Sequence, residues 1–434
     1  MAGGAAVALL VAVVGGLLVR PDYRRGVALA VGLTLTTVAG SLTVPDDLRR
    51  AAVAAAVGVV GASLLSPRHG PVARARASAW TVAWFTWALL CVVVLAPSTI
   101  ALMVQLAAVG VTFSLAAATS SRADVRAFSR GLVGLGLVQV VLGVVELTVT
   151  HRPIPWGYKV LATGRSFVSD NKVLPGDLSR VEGTVGHPIP YAVLLAVCLV
   201  VVVVSDRVVF PVAARVAIVP LLAGGILLSG SRSVLAAVLL GLAFVVLTSD
   251  RGHRAAKIVT AATVTVVAGA VLASEVVEAA AVLFSSGSYE NRMGALRSVP
   301  ALLSRPLIES LVGSGFGSEP ELYARGLLPQ EGFTVVDNQL VTTLATFGVV
   351  GLVLVVGVVV AGATTASRTG RAVTVVMVTV LFSFDYLVWF SMSGLVFTFC
   401  ALTPEPAPPP APPPAPSRAP SPASPTAQPT AAPR

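Results

Sequence analysis

Three side chains in this sequence combine a chemically capable type with an unusual setting: Arg232, Arg292 and Asp337. Arg232 stands in the short segment Ser229-Gly230-Ser231-Arg232-Ser233 between two apolar runs. A turn that short keeps the guanidinium at a membrane interface. There it either snorkels to head-group phosphates or forms a fixed fork for a lipid pyrophosphate, a geometry arginine suits better than lysine. Arg292 recurs with Leu296, Val299 and Leu303 at helical spacing from Tyr289, so one helix face is apolar apart from a single cation. A cation on such a face calls for an anion to meet it. Asp337, followed by Asn338, stands where a polar interval gives way to an apolar run. A carboxylate there reads equally as a general base or as the N-cap of the helix that follows.

Further candidates surround these three. Arg297 and Arg305 share the polar interval and either contact a phosphorylated substrate or stay solvated. Gly313-Ser314-Gly315-Phe316-Gly317 is a turn in which Gly313 and Gly315 let the backbone approach a ligand closely. Pro300 is expected to kink or end the Arg292 helix near Val299, giving a bent element that lies on a membrane. His187, before Pro188, is either structural or a base or donor near neutral pH. Glu146 and Asp385 are acidic residues within apolar runs, either packed or lining the same cavity. With no His-His-Cys cluster, no D-x-D pair and no phosphate-binding G-x-x-x-x-G-K-[ST] loop, neither a metal nor any other cofactor is expected.

The elements that must position these residues are helices in a membrane. The chain has 434 residues, 55% of them hydrophobic and 12% charged, with a mean hydropathy of +0.87. A soluble domain carries roughly 25% charged residues. Spans need about 20 apolar residues each, and the candidates are 4–19, 26–44, 48–65, 79–96, 98–118, 131–149, 187–205, 212–229, 232–248, 257–274, 337–362 and 372–400. The expected fold is therefore all-α, a polytopic transmembrane helical bundle of about 12 spans. Its regions are N-terminal helices over 1–150, a first outer loop over 151–186, central helices over 187–274, a large outer loop over 275–336, C-terminal helices over 337–400 and a Pro-rich tail over 401–434.

Arginines in short loops fix the orientation. They follow the odd-numbered spans, as with Arg24 and Arg25, Arg122 and Arg126, Arg207 and Arg215, Arg368 and Arg371. Those loops are expected in the cytoplasm, with both termini and both long loops outside, the two loops together forming a lid. The net charge of +10 is then orientation and not a nucleic-acid footprint. Cys91, Cys198 and Cys400 lie in or beside apolar runs without disulfide or metal spacing. From Thr403 the composition is that of a disordered, polyproline-leaning tail.

Four of these motifs, in this order, resemble the O-antigen ligase and O-antigen polymerase superfamily of bacterial membrane enzymes. A Gly-x-x-x-His/Asn-Pro entry to a mid-chain span is matched by Gly183 to Pro188. A Ser-Arg-Gly at an outer helix end is matched by Ser231-Arg232, with Ser233 in place of the glycine. An Arg, an amphipathic helix and Pro-Leu-x-Gly-x-Gly are matched by Arg292 and Leu311-Val312-Gly313-Ser314-Gly315, with Ser310 where the proline stands. A His-Asn leading into a span with Gly-x-x-Gly is matched by Asp337-Asn338 and Gly348 to Gly351. The resemblance implies a metal-independent glycosyltransferase of the bacterial plasma membrane. Its donor would be a polyprenyl-pyrophosphate-linked glycan, its acceptor a glycan or glycolipid, and its site on the outer face. Asp337 replaces the histidine thought to activate the acceptor hydroxyl in such ligases, which marks either a carboxylate base or a subgroup with another acceptor. Polymerisation, and transport of a lipid-linked sugar, remain the alternatives.

Overall fold

The computed structural model describes residues 20–41, 43–66, 76–159, 168–171, 173–174, 178–248, 287–329 and 335–402. The candidate spans at 4–19 and 257–274 and the Pro-rich tail lie outside the described residues. What is described is helical, with a single isolated bridge, between Asp170 and Ser179, as its extended pairing.

Sequence signals account for the helix limits. The first helices are α1 (Arg24–Val38), α2 (Asp46–Leu64), α3 (Arg76–Leu95) and α4 (Ile100–Ala118). α5 (Arg122–Val145) opens on a capping box, in which Ser121 Oγ accepts from Asp124 N at 3.1 Å and Asp124 Oδ2 from Ser121 N at 3.0 Å. It continues as a π-helical turn over Glu146–Thr150. α6 (Pro188–Val204) starts with Pro188 in the first turn, where a missing N–H costs nothing. α7 (Val212–Leu228) and α8 (Arg232–Leu247) follow. Among the described residues, four helical stretches are long and apolar enough to cross a membrane: Arg76–Leu95, Pro97–Ala118, Arg122–Thr150 and Gln339–Thr365. Helix α6 is the axis of the bundle, buried from Tyr191 through Val203 and packed by α5, α7 and α8.

Arginines gather at one end of this bundle and close helix termini there. Arg25 donates to Thr119 O at 2.6 Å and Ser66 O at 3.0 Å, Arg130 to Val208 O at 3.0 Å, and Arg215 to Phe210 O at 2.8 Å. Each guanidinium supplies hydrogens to carbonyls that a helix end or turn leaves unpaired.

The polar interval folds into four short helices: α9 (Gly287–Arg297), α10 (Val299–Leu303), α11 (Leu307–Val312) and α12 (Glu319–Ala324). Two expectations change here. The helix ends at Arg297 rather than Val299, and Pro300 sits inside the first turn of α10, where proline is tolerated. The inward stripe is Asn291, Ala295, Ser298 and Leu302, all buried, whereas Leu296 and Leu303 of the expected apolar face are exposed. Leu303, Leu307, Ile308 and Leu311 together form an outward apolar surface.

α13 (Gln339–Thr365) is broken at Gly348, whose φ of 67° and ψ of −169° lie outside the helical region. A Cβ there would run into the Leu311 carbonyl, so only glycine fits. The carbonyls stranded by the break are all taken up. Arg305 donates to Leu344 O and Ala345 O at 3.0 Å each, while Ser314 N and Gly315 N reach Ala345 O and Thr346 O at 3.0 Å each. Trp87 Nε1 donates to Phe347 O at 3.1 Å. Inside a bilayer an unpaired carbonyl costs several kcal/mol, which is why a broken helix there needs such partners.

The single span expected over 372–400 is corrected. The chain forms a hairpin of α14 (Arg368–Leu381) and α15 (Phe390–Ala401). Ser367 N donates to Leu402 O at 2.6 Å, and Gly370 packs against Phe399. The reversal is held by Tyr386 OH donating to Met377 O at 2.8 Å and Leu387 N to Gln339 Oε1 at 2.7 Å. Leu402 therefore returns to the arginine-bearing end, beside Ser367, and not to the end from which the expected tail was to leave.

Candidate functional site

The first long loop is pinned at the end opposite the arginines by buried polar side chains. Glu146, 1% exposed, accepts from Gly183 N at 2.8 Å and from Glu182 N at 3.2 Å. Gln139 donates to Thr184 Oγ1 at 2.6 Å and accepts from Thr184 N at 3.1 Å. Gly183 has a φ of 56°, and a Cβ there would collide with Gln139. Asn171 donates to the carbonyls of Leu227 and Leu228, both at 3.0 Å. Glu146 thus has a structural task as the anchor of this loop.

That anchoring sets Arg180 over the start of α8. Arg180 donates to Ser229 O at 2.8 Å and Ser231 Oγ at 2.9 Å, and Ser231 Oγ in turn donates to Pro188 O at 3.3 Å. The next residue is Arg232, half-buried in the first turn of α8, where the helix end carries partial positive charge. Arg292 approaches from α9. Burial lowers the Arg180 pKa to about 10; Glu182 opposes this, and the charges of Arg292 and Arg232 add to it. Arg180 therefore lies within electrostatic reach of two further guanidinium groups, Arg232 and Arg292, each from a separate segment. Glu182 is pushed up to about 7, chiefly by burial and then by Glu146, with Arg180 opposing. Nothing in the sequence reading singled out Arg180. Its signal is the Arg-x-Glu immediately before the Gly183 turn.

Asp337 sits beside Arg292, half-buried, and accepts from Asn291 Nδ2 at 3.0 Å. Burial raises its carboxyl above the usual range, against the lowering effects of the Asn291 hydrogen bond and the Arg292 charge. Arg292 is itself lowered by burial and supported by Asp337. The helix cap belongs to the next residue. Asn338, fully buried, accepts through Oδ1 from Leu340 N at 3.0 Å and Val341 N at 3.2 Å. Of the two readings of Asp337, capping is therefore the one its neighbour fulfils.

The remaining candidates are placed differently. His187 is the N-cap of α6, with Nδ1 accepting from Ile189 N at 3.2 Å and its ring stacked on Phe384 at 4.9 Å. Arg297 is exposed. Arg305 is 6% exposed and donates to Leu302 O at 2.7 Å and Ser314 Oγ at 2.8 Å besides the two α13 carbonyls. Its expected substrate role is corrected, because its hydrogens are committed to closing the helix break. Gly313 and Gly315 likewise bring backbone close to the protein itself. A Cβ on Gly313 would meet the Thr346 carbonyl, and one on Gly315 the Leu95 side chain. Asp385 lies in the hairpin reversal, near Gln339 and Thr342 and within electrostatic reach of Asp337 and Glu319. Among the described residues, no group of three or more His, Cys, Asp or Glu side chains could hold a metal ion.

The site thus sets Arg180 over the start of α8, where Arg232 stands, and Asp337 beside Arg292 of α9. Gln339 and Thr342, in α13 just after Asp337, line an apolar hollow with Trp84, Phe85, Phe316, Phe347 and Leu387. No known family model matches the chain, and no curated protein matches it.

Proposed function

We propose that this chain is a membrane glycosyltransferase of the O-antigen ligase type. It moves a glycan from a polyprenyl-pyrophosphate carrier to an acceptor hydroxyl at the outer face of the bacterial plasma membrane. The carrying observation is Arg180 at the N-terminal end of α8, within electrostatic reach of both Arg232 and Arg292, with Asp337 beside Arg292. A diphosphate is the group that three guanidinium forks and a helix N-terminus accommodate best. The arginine-rich loops at the opposite end support an outer placement of the site by the positive-inside rule.

The chemistry follows from these roles. Asp337 takes the proton of the acceptor hydroxyl, and the acceptor oxygen forms a bond to the anomeric carbon. The bond from that carbon to the diphosphate oxygen breaks, and its electron pair leaves with the diphosphate. The arginines meet the charge as it develops there, the kind of electrostatic help that supplies the largest share of many rate enhancements. Ligation and polymerisation differ in the acceptor alone.

Reconstitution of the full chain with a defined undecaprenyl-diphosphate-linked oligosaccharide tests the reading. Release of undecaprenyl diphosphate with a new glycosidic product is expected. Lysine at positions 180, 232 or 292 keeps the charge but loses the fork, and turnover is expected to fall by at least about tenfold in each folded variant. Movement of the intact lipid across the bilayer with no covalent product would replace the enzyme with a transporter.

A further inference from the structure

We infer that Asn291 is a positioning residue for Asp337. It fixes one carboxylate oxygen and so aims the other at the acceptor hydroxyl. This rests on the reading of Asp337 as the base. Asn291 is 1% exposed and belongs to the inward stripe of α9, so its amide does not swing out to water. Its Nδ2 donates to Val335 O and to Asp337 Oδ2, each at 3.0 Å. A primary amide has two hydrogens, and both are committed to the segment that leads into α13. The orientation of the amide is settled by these bonds, since both partners are acceptors.

The choice of a neutral donor has a chemical purpose. A carboxylate held by an arginine fork is a weak base, because the ion pair stabilises its charged form. Asn291 supplies a fixed hydrogen bond without adding charge, and Arg292 remains available to the diphosphate. Other charged or titratable groups lie within electrostatic reach of Asp337: Arg292 on α9, Tyr323 on α12 and Asp385 in the hairpin reversal, with Glu319 of α12 in turn reaching Tyr323 and Asp385. Arg292 is the cation of this set. Burial already lifts the Asp337 carboxyl, and the Asn291 bond opposes that lift. Loss of the bond therefore moves the carboxyl further upward.

The test is the pH profile of undecaprenyl diphosphate release from the defined lipid-linked oligosaccharide, with the full-length chain in proteoliposomes. Two variants carry it. Asn291→Leu removes both donors at similar volume, and Asn291→Asp keeps the shape but faces Asp337 with a second carboxylate. In both, the acid limb of the profile should move up by about one pH unit, a tenfold loss of rate on that limb. The deficit should shrink as pH rises, which a purely structural defect would not do. If Asn291→Leu does not fold, Asn291→Asp decides alone. A uniform loss at every pH, or an unmoved acid limb in folded protein, overturns the inference. Failure of the base reading is seen separately, as wild-type release by Asp337→Asn.

Discussion

Replacing Arg305 by methionine separates a structural arginine from a catalytic one. Methionine retains the apolar stem and removes the guanidinium, so what is lost is four hydrogen bonds and the ion pair to Glu309 at 3.7 Å. Two of these, to Leu344 O and Ala345 O at 3.0 Å each, close the break in α13. Ala345 O keeps the bond from Ser314 N at 3.0 Å. A buried polar group left unsatisfied costs about 1–3 kcal/mol, and a lost hydrogen bond to a charged donor about 1.5–3 kcal/mol. Losing one charged bond and leaving one buried group unsatisfied gives about 2.5–6 kcal/mol for Arg305→Met. The assay is thermal unfolding of detergent-solubilised protein, followed by the loss of its monodisperse gel-filtration peak. The midpoint should fall by several degrees, at about 2–4 °C per kcal/mol for a chain of some 200 residues and less for a longer one. Arg297→Met, at an exposed position, is the internal control and should leave stability within about 0.5 kcal/mol of wild type. An Arg305→Met protein with a wild-type midpoint but no glycan transfer would refute the reasoning, because it would put that side chain on the substrate.

Two further outcomes follow from the same geometry. Asn338→Ala should lower stability by about 1 kcal/mol, with Asn338→Asp close to wild type; paired melting curves check it. Glu182, pushed up to about 7, is destabilised in its charged form by burial, so its contribution is fully present below the unfolded carboxyl value and is lost as pH rises through about 7. Stability measured against pH should therefore fall more steeply from acid to neutral in wild type than in Glu182→Gln. Parallel curves would place the ionisation elsewhere.

Much of the fold was legible because apolar runs announce helices regardless of how they pack. Nine of the expected spans coincide with helices, from Arg24–Val38 through Gln339–Thr365, although the helix at 131–149 begins earlier, at Arg122, and the one at 26–44 ends earlier, at Val38. The hairpin was not legible. Residues 372–400 form one nearly continuous apolar run, and the reversal at Phe382–Trp389 contains no glycine or proline to mark it. It is stabilised instead by tertiary bonds from Tyr386 and to Gln339, which no local pattern reports. The site was legible in part. Arg232, Arg292 and Asp337 were conspicuous as polar residues in apolar settings, and the structure gathers them at one end. Arg180 was hidden because a charged residue in a loop is unremarkable until the loop is folded over α8. Asp337 and Asn338 cap helices about equally well by type, so one residue of register decided which of them caps α13. Arg305 shows the opposite limit, since a cation surrounded by carbonyls looks in sequence the same as one awaiting phosphate.

The broken helix has a consequence for how this molecule can move. Arg305, Ser314 and Gly315 hold the carbonyls of Leu344, Ala345 and Thr346, and the Leu311 carbonyl occupies the space a side chain at Gly348 would need. The segment from Arg305 to Gly315 and the half-helix from Gln339 to Phe347 therefore travel as one rigid block. Peeling them apart would strand several carbonyls at once in an apolar medium. Any bend in this part of the chain must fall outside that block, and the joint between α9 and α10 at Ser298 lies outside it. Asn291 and Arg292 lie on one side of that joint and the clamped block on the other. A bend there would change the distance from Arg292 to the block while leaving the break itself closed.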